Sequence, residues 1–314
     1  MGPVGLHLRS NIMSRIRELL QSKYPIIQGP VGAINSPKLV AAISNAGGYG
    51  MLALGFASDI NQVRQLINET KKLTDKPFGA NIMIINPLNE KILPILAESG
   101  IKTITTSVGF PGKIYPFIHE LGMKGLHVLL SVKHAIAAED AGADGIIAAG
   151  SEAGGLRSTG SESSTMILVP LISDSVKIPV VAAGGIADSR GYMAALALGA
   201  EGVQVGTRFI ASAESSAQQV WKEQIVFCED GGTELLPVDN MMLRAIITPE
   251  LRQRLNSPDF NPQKEFRLSN AGKAWDNAEF SLVPAGAGQA SALIKSILPV
   301  KDIIEEMITT TDNG

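Results

Sequence analysis

The sequence predicts an α/β fold, a (β/α)8 TIM barrel with a small helical substrate-side insertion, and three observations carry that expectation. Short apolar runs alternate with helix-periodic stretches eight times across residues 24–220, close to the roughly 200–250 residues such a barrel needs. The runs are apolar on both faces, as strands of a helix-covered parallel sheet must be. Two late runs end on Gly184-Gly185 and Gly206-Thr207, and in these barrels the loops after the last two strands commonly hold phosphate groups. An open doubly wound sheet is the rival, because one sequence does not reveal strand order. The number of units and the late pair of glycine ends favour the barrel.

The expected strands are Tyr24–Gln28, Gly50–Ala53, Phe78–Met83, Thr103–Thr106, Gly125–Leu130, Gly145–Ala148, Pro179–Ala183 and Gly202–Gly206. Between them apolar residues recur at three- and four-residue spacing, the mark of amphipathic helices. Asn35 or Ser36 can cap the helix through Leu39, Val40 and Ile43, and Asp188 can cap the one that ends near Gly199. After residue 220 the alternation stops. Residues 221–280 are richer in charge, and Pro249, Pro258 and Pro262 break them into short helical pieces. A glycine-rich stretch, PAGAGQAS at 284–291, and a helix over Ile297–Ile308 complete the chain. The reading is a barrel of residues 1–220 and 281–314 with a smaller lid segment, 221–280.

Of 314 residues, 45% are apolar and 18% charged, which suits a large buried core. The net charge of −3 argues against general affinity for nucleic acid or an anionic membrane. No run reaches the roughly 18 apolar residues of a membrane helix. The start, MGPVGLHLRSNIMSR, has no signal-peptide core, and Leu6 stands where myristoylation wants Ser or Thr. A cytoplasmic protein is expected. Cys228, the one cysteine, excludes an internal disulfide and reads as a buried thiol rather than a nucleophile.

Small or amide residues gather at strand ends that a barrel would place on one rim: Gln28-Gly29-Pro30, Gly79-Ala80-Asn81, the run from Ala149 to Gly154-Gly155, and the late glycine pair. Missing side chains let backbone N–H groups approach a ligand. A helix opening just after Gly184-Gly185 would add its positive end. Singly, each is a turn, a cap or a loop; their common rim makes them a site. Gly286, Gly288 and Ser291 miss the dinucleotide fingerprint and follow no strand. His7, His119, His127 and His134 lack metal-ligand spacing. His127 lies within the fifth strand, where a packed, hydrogen-bonded histidine is commoner than a catalytic one. Without a metal site, a triad or paired carboxylates, a phosphorylated cofactor that brings its own chemistry fits best. FMN, with one phosphate and a flat ring, is the economical candidate.

The segments YPIIQGPVG (24–32), FGANIM (78–83), AGADGIIAAGSEAGG (141–155), IPVVAAGGIAD (178–188), ALGAEGVQVGTRF (197–209) and AGQASALI (287–294) carry a family resemblance in order and spacing. The chain resembles the nitronate monooxygenase (2-nitropropane dioxygenase) family, which also contains FMN-dependent enoyl-ACP reductases and NADH:quinone reductases. The resemblance implies non-covalent FMN. Gly29, Pro30 and Val31 would line the flavin ring, Asn81 would meet its polar edge, and Gly154 and Gly155 would border it. Gly184, Gly185, Gly206 and Thr207 would hold the phosphate, and Gln289 would approach from the late glycine-rich segment.

One position departs from the family. Where histidine typically follows Glu-Ala-Gly-Gly, this chain has Leu156, which cannot move a proton. Either the substrate needs no base there, or Arg157 or His127 supplies charge or a proton from elsewhere. Arginine stays protonated, so Arg157 is a better anion anchor than a base. The implied activity is oxidation of alkyl nitronates through reduced flavin and O2. The alternatives are NAD(P)H-dependent reduction of enoyl thioesters or quinones, and a flavin-binding protein whose activity is lost or diverged. A small-molecule or thioester substrate is expected, and exposed helical surface is compatible with a homodimer.

Overall fold

A computed structural model describes residues 14–309 apart from 33, 35 and 159–162. The chain start, His7 and Asn35 therefore lie outside the described residues. The strands are β1 (Ile26–Gln28), β2 (Gly50–Ala53), β3 (Phe78–Met83), β4 (Thr103–Ser107), β5 (Lys124–Leu129), β6 (Gly145–Ala149), β7 (Gly155–Arg157), β8 (Val180–Ala183), β9 (Gly202–Val205), β10 (Thr233–Val238) and β11 (Met241–Ile246). Eight of them form a parallel sheet in the order β1-β9-β8-β6-β5-β4-β3-β2. Its two edges meet. Gln28 N donates to Tyr49 O at 2.9 Å and Tyr49 N to Ile26 O at 2.8 Å, bridging β1 to the residue before β2. The sheet is a barrel, and the open doubly wound alternative is excluded.

Closure gives every strand two buried faces, and successive side chains alternate between them. Ile27, Met51, Leu126, Ile147 and Val181 point inward. Ile26, Leu52, Ile104 and Val180 point outward into the layer beneath the helices. At the N-terminal end the helix Arg15–Leu20 pushes Ile16 and Leu20 into the barrel floor. Ser14 Oγ donates to Glu201 O at 2.6 Å, Arg15 pairs with Glu201, and the Thr103 hydroxyl donates to the Leu19 carbonyl. Ser36 caps the helix Pro37–Asn45, its Oγ accepting from Leu39 N at 3.2 Å.

The segment after residue 220 contains more than helical pieces. β10 and β11 form an antiparallel hairpin around the two-residue turn Asp239-Asn240, and β7 joins its other side. Asp239 takes φ of 50°, the left-handed region in which Asp and Asn are favoured at hairpin turns. The prolines do mark helices, since Pro249 and Pro262 open two of them behind the caps Thr248 and Asn261. Trp275, on the helix Ala271–Asp276, packs against Trp221 with ring centres 5.8 Å apart and planes tilted by 41°, and donates to Pro284 O at 3.0 Å. No helix among the described residues is long and apolar enough to cross a membrane.

The floor makes a direct prediction. Leu20 is almost fully buried, so Leu20→Ala should cost about 2–5 kcal/mol. Chemical denaturation should show the lower midpoint, while flavin binding at the far end of the barrel should be unchanged.

Candidate active site

A cavity of about 240 Å³ opens at the C-terminal ends of the barrel strands. The inward rows of the strands run into it, so Asn81, Ser107, Val128, Ala149, Ala183 and Gln204 form its floor. Asn81 is buried and tied to β4. Its Nδ2 donates to Thr105 Oγ1 at 2.9 Å, and Ser107 Oγ donates to its Oδ1 at 3.4 Å. Gln204 is also buried, yet its Nε2 has no partner among the described residues. An unmet buried donor costs about 1–3 kcal/mol, so a ligand acceptor is the natural occupant of the space before it.

The wall built by residues 150–155 is held from outside. Glu152 accepts from Thr165 N and Thr165 Oγ1, at 2.8 and 2.9 Å, which pins the loop to the start of the helix Thr165–Ser173. Two buried arginines converge on one carbonyl: Arg157 Nη1 and Arg244 Nε donate to Ser151 O at 3.0 and 2.9 Å. The late glycine segment closes over this loop. A Cβ on Gly154 would lie 2.4 Å from Gly288 N, so only glycine allows the two backbones to pack. Gln289 N donates to Glu152 O, and Gly288 N to Thr207 Oγ1, both at 2.9 Å.

Gly29, Pro30, Val31, Gly154, Gly155 and Leu156 all border the cavity, as do Gly184, Gly185, Gly206 and Thr207. At Gly206 a Cβ would meet no protein atom within 4 Å, so the absent side chain leaves open space rather than relieving a clash. The neighbouring helix end is not free for an anion. Asp188 accepts from Arg190 N at 3.0 Å and Gly191 N at 3.4 Å and is paired with Arg190. An anion here would meet the strand-end glycines rather than the helix Ser189–Ala197.

Three sequence expectations are corrected. His127 does not face the cavity. Leu126 and Val128 point inward, which turns His127 outward, where Nδ1 shares a 2.8 Å hydrogen bond with Thr106 Oγ1 beneath Tyr115. Burial lowers its pKa to about 4 and keeps it neutral. Arg157 borders the cavity but is neither solvated nor free, being spent on the backbone of residues 150 and 151. Gln289 has an exposed side chain, and the segment reaches the cavity through Gly288 and Ala290 instead. His119 and His134 lie on helices, His119 Nε2 meeting Asp144 Oδ2 at 2.9 Å. Cys228 is buried, and burial raises its thiol pKa.

Sequence reading missed Gln204, Phe56 and Trp275 as wall residues. Gln204 was open to discovery: it is a lone amide in the apolar run GVQVG, on the inward register.

The C-terminal mouth of the barrel pairs a side-chain-free end with an unmet amide donor, the place where enzymes of this fold build their active sites. Comparison with known proteins gives the family. The nitronate monooxygenase family model matches residues 13–98 and 86–310, and the chain belongs to that family. A probable nitronate monooxygenase of Staphylococcus saprophyticus is 31% identical, over 90% of this chain and 94% of that protein. Among solved structures, FabK from Thermotoga maritima is 37% identical with a TM-score of 0.85, covering 95% of this chain and 96% of that one. Nitroalkane oxidase from Streptomyces ansochromogenes is 26% identical with a TM-score of 0.78, covering 94% and 96%. The protein is an FMN-dependent oxidoreductase.

Two predictions follow from the geometry. Gly206→Ala adds a methyl group to open space without strain, so the flavin-free protein should unfold within about 0.5 kcal/mol of wild type. FMN affinity, by fluorescence titration, should nevertheless fall at least about tenfold, as expected from losing one charge-assisted hydrogen bond. For His127, the folded pKa of about 4 lies below the ordinary 6.5, so the fold favours the neutral form. The stability this gives, at most about 3 kcal/mol, is complete above pH ~6.5 and is lost as pH falls toward ~4. His127→Gln lacks this dependence, so its stability deficit, measured in urea, should shrink over that range.

Proposed function

We propose that the protein oxidises alkyl nitronates that are already anionic, using FMN in the barrel-mouth cavity. In this reading Gly184, Gly185, Gly206 and Thr207 hold the phosphate, Gly29, Pro30 and Val31 lie along the ring, and Asn81 and Gln204 meet its polar atoms. Gly154 and Gly155 border the ring on the loop side. Bound FMN supplies the two-electron step between substrate and O2.

The observation that carries the reading is Leu156. It stands in β7 opposite Leu243 of β11, borders the cavity and packs on the core. A hydrocarbon at this place cannot take the proton that a neutral nitroalkane would have to lose. A nitronate has lost it beforehand. Leu156 then acts by excluding water from the reacting end, and the wall of Phe56, Val108, Leu130 and Trp275 does the same. The buried arginines hold this wall in place rather than binding substrate, because both guanidinium groups already serve backbone carbonyls.

A second reading, NAD(P)H-driven reduction of an enoyl thioester or quinone, is favoured by the greater identity to FabK than to nitroalkane oxidase. Anaerobic mixing separates the two. Propyl-2-nitronate should bleach the visible flavin absorbance within the time of turnover, whereas neutral 2-nitropropane should leave it intact. Rapid bleaching by NADH or NADPH with none by the nitronate would establish the second reading instead.

A further inference from the structure

Side chains alternate along β4. Ile104 and Thr106 point out under the helices, whereas Thr105 meets Asn81 and Ser107 borders the cavity. An extended chain would therefore send the next residue, Val108, outward. Instead Val108 takes φ of 49°, and it borders the cavity beside Ser107. Left-handed backbone is unfavourable for a residue with a Cβ, and most of all for one branched there. Among the described residues Gln21, Asp239 and Ala278 share it, but none of these is branched at Cβ and none borders the cavity.

The turn is fixed from the β3 side. Ile84 N donates to Ser107 O at 2.8 Å, and a Cβ on Gly109 would lie 3.0 Å from Cβ of Ile84. Phe110 is exposed and does not border the cavity, so Val108 is the hydrocarbon that this loop presents there. Its place in the ring follows from the strand order. With β1 closed on β2, four steps separate β4 from β9 in either direction, and four separate β3 from β8. The ends of β3 and β4 therefore stand across the mouth from Gly184-Gly185 and Gly206. A cofactor seated by its phosphate at those glycines extends toward Asn81 on the floor and Val108 on the rim.

We propose that Val108 is a specificity-determining residue, limiting the size of the group attached to the reacting atom of the substrate. The proposal rests on the seating of the phosphate at the ends of β8 and β9. A strained residue at a cavity wall points to a role in that cavity. Glycine would make the same turn without strain, so what valine adds is its pair of methyl groups. These narrow the side of the mouth opposite the phosphate. Substrates with a small aliphatic group on the reacting atom fit beside them, and an aromatic ring at that place meets them.

The test uses the FMN-loaded protein and two uncharged probes, acetamide and benzamide, whose binding is read from the shift in flavin absorbance. Val108→Ala keeps the left-handed backbone and removes the two methyl groups. Val108→Asn keeps the bulk and suits that backbone. In Val108→Ala, benzamide affinity should rise at least about tenfold relative to acetamide, the size of a relieved overpacking. Val108→Asn should leave that ratio unchanged while raising the urea midpoint of the flavin-free protein. An unchanged ratio in Val108→Ala, or a midpoint that falls in Val108→Asn, would overturn the proposal. Neither probe depends on nitronate turnover, so a shifted ratio in a protein inert to nitronates supports the role of Val108 while removing the nitronate reading. Equal affinity for FMN and riboflavin would remove the phosphate seating, and the proposal with it.

Discussion

The contact between β1 and the residue before β2 governs the rest of the molecule. By pairing Gln28 with Tyr49 it removes both edges of the sheet and leaves each strand with two buried faces. From then on the two-residue alternation decides what every strand residue can do. The outward set packs under helices, the inward set fills the floor, and the last inward residues become the walls of the cavity. The site is thus the top layer of the barrel core with its large side chains removed.

That layer is roofed by loops whose shape depends on backbone contacts. Residues 150–154 and 286–288 approach so closely that glycine is required at their crossing, and Arg157, Arg244 and Glu152 hold the arrangement from behind. Charge near the cavity is therefore largely consumed by structure. The consequence for chemistry is a reacting end walled by hydrocarbon, with Leu156 in place of a proton-transferring group. In the proposed reading this wall suits a substrate that has already lost its proton.

Much of this was legible in the sequence. Two-faced apolar runs with glycine ends specify covered parallel strands, and the positions of Asn81, Gly155 and Gly206 on one rim follow from counting units. His127 is legible by parity: a residue between Leu126 and Val128 in a closed barrel faces the helices if its neighbours face the core. What sequence patterns do not carry is long-range pairing. The union of β7 with β11, more than eighty residues away, brings Arg244 to Ser151 and makes Arg157 a structural residue. The hairpin itself was hidden because its strands do not alternate cleanly in polarity and Pro237 interrupts β10, although Asp239-Asn240 marks its turn.

In the proposed reading the glycine ends of β8 and β9 form an anion seat, distinct from the capped helix beside them. The most direct measurement is the affinity of the flavin-free protein for FMN against riboflavin, which differ only by the phosphate. Two or more charge-assisted hydrogen bonds from strand-end amides predict that FMN binds at least about 100-fold more tightly. Equal affinities would contradict the account, because they would leave the glycine pair with no ligand to explain it.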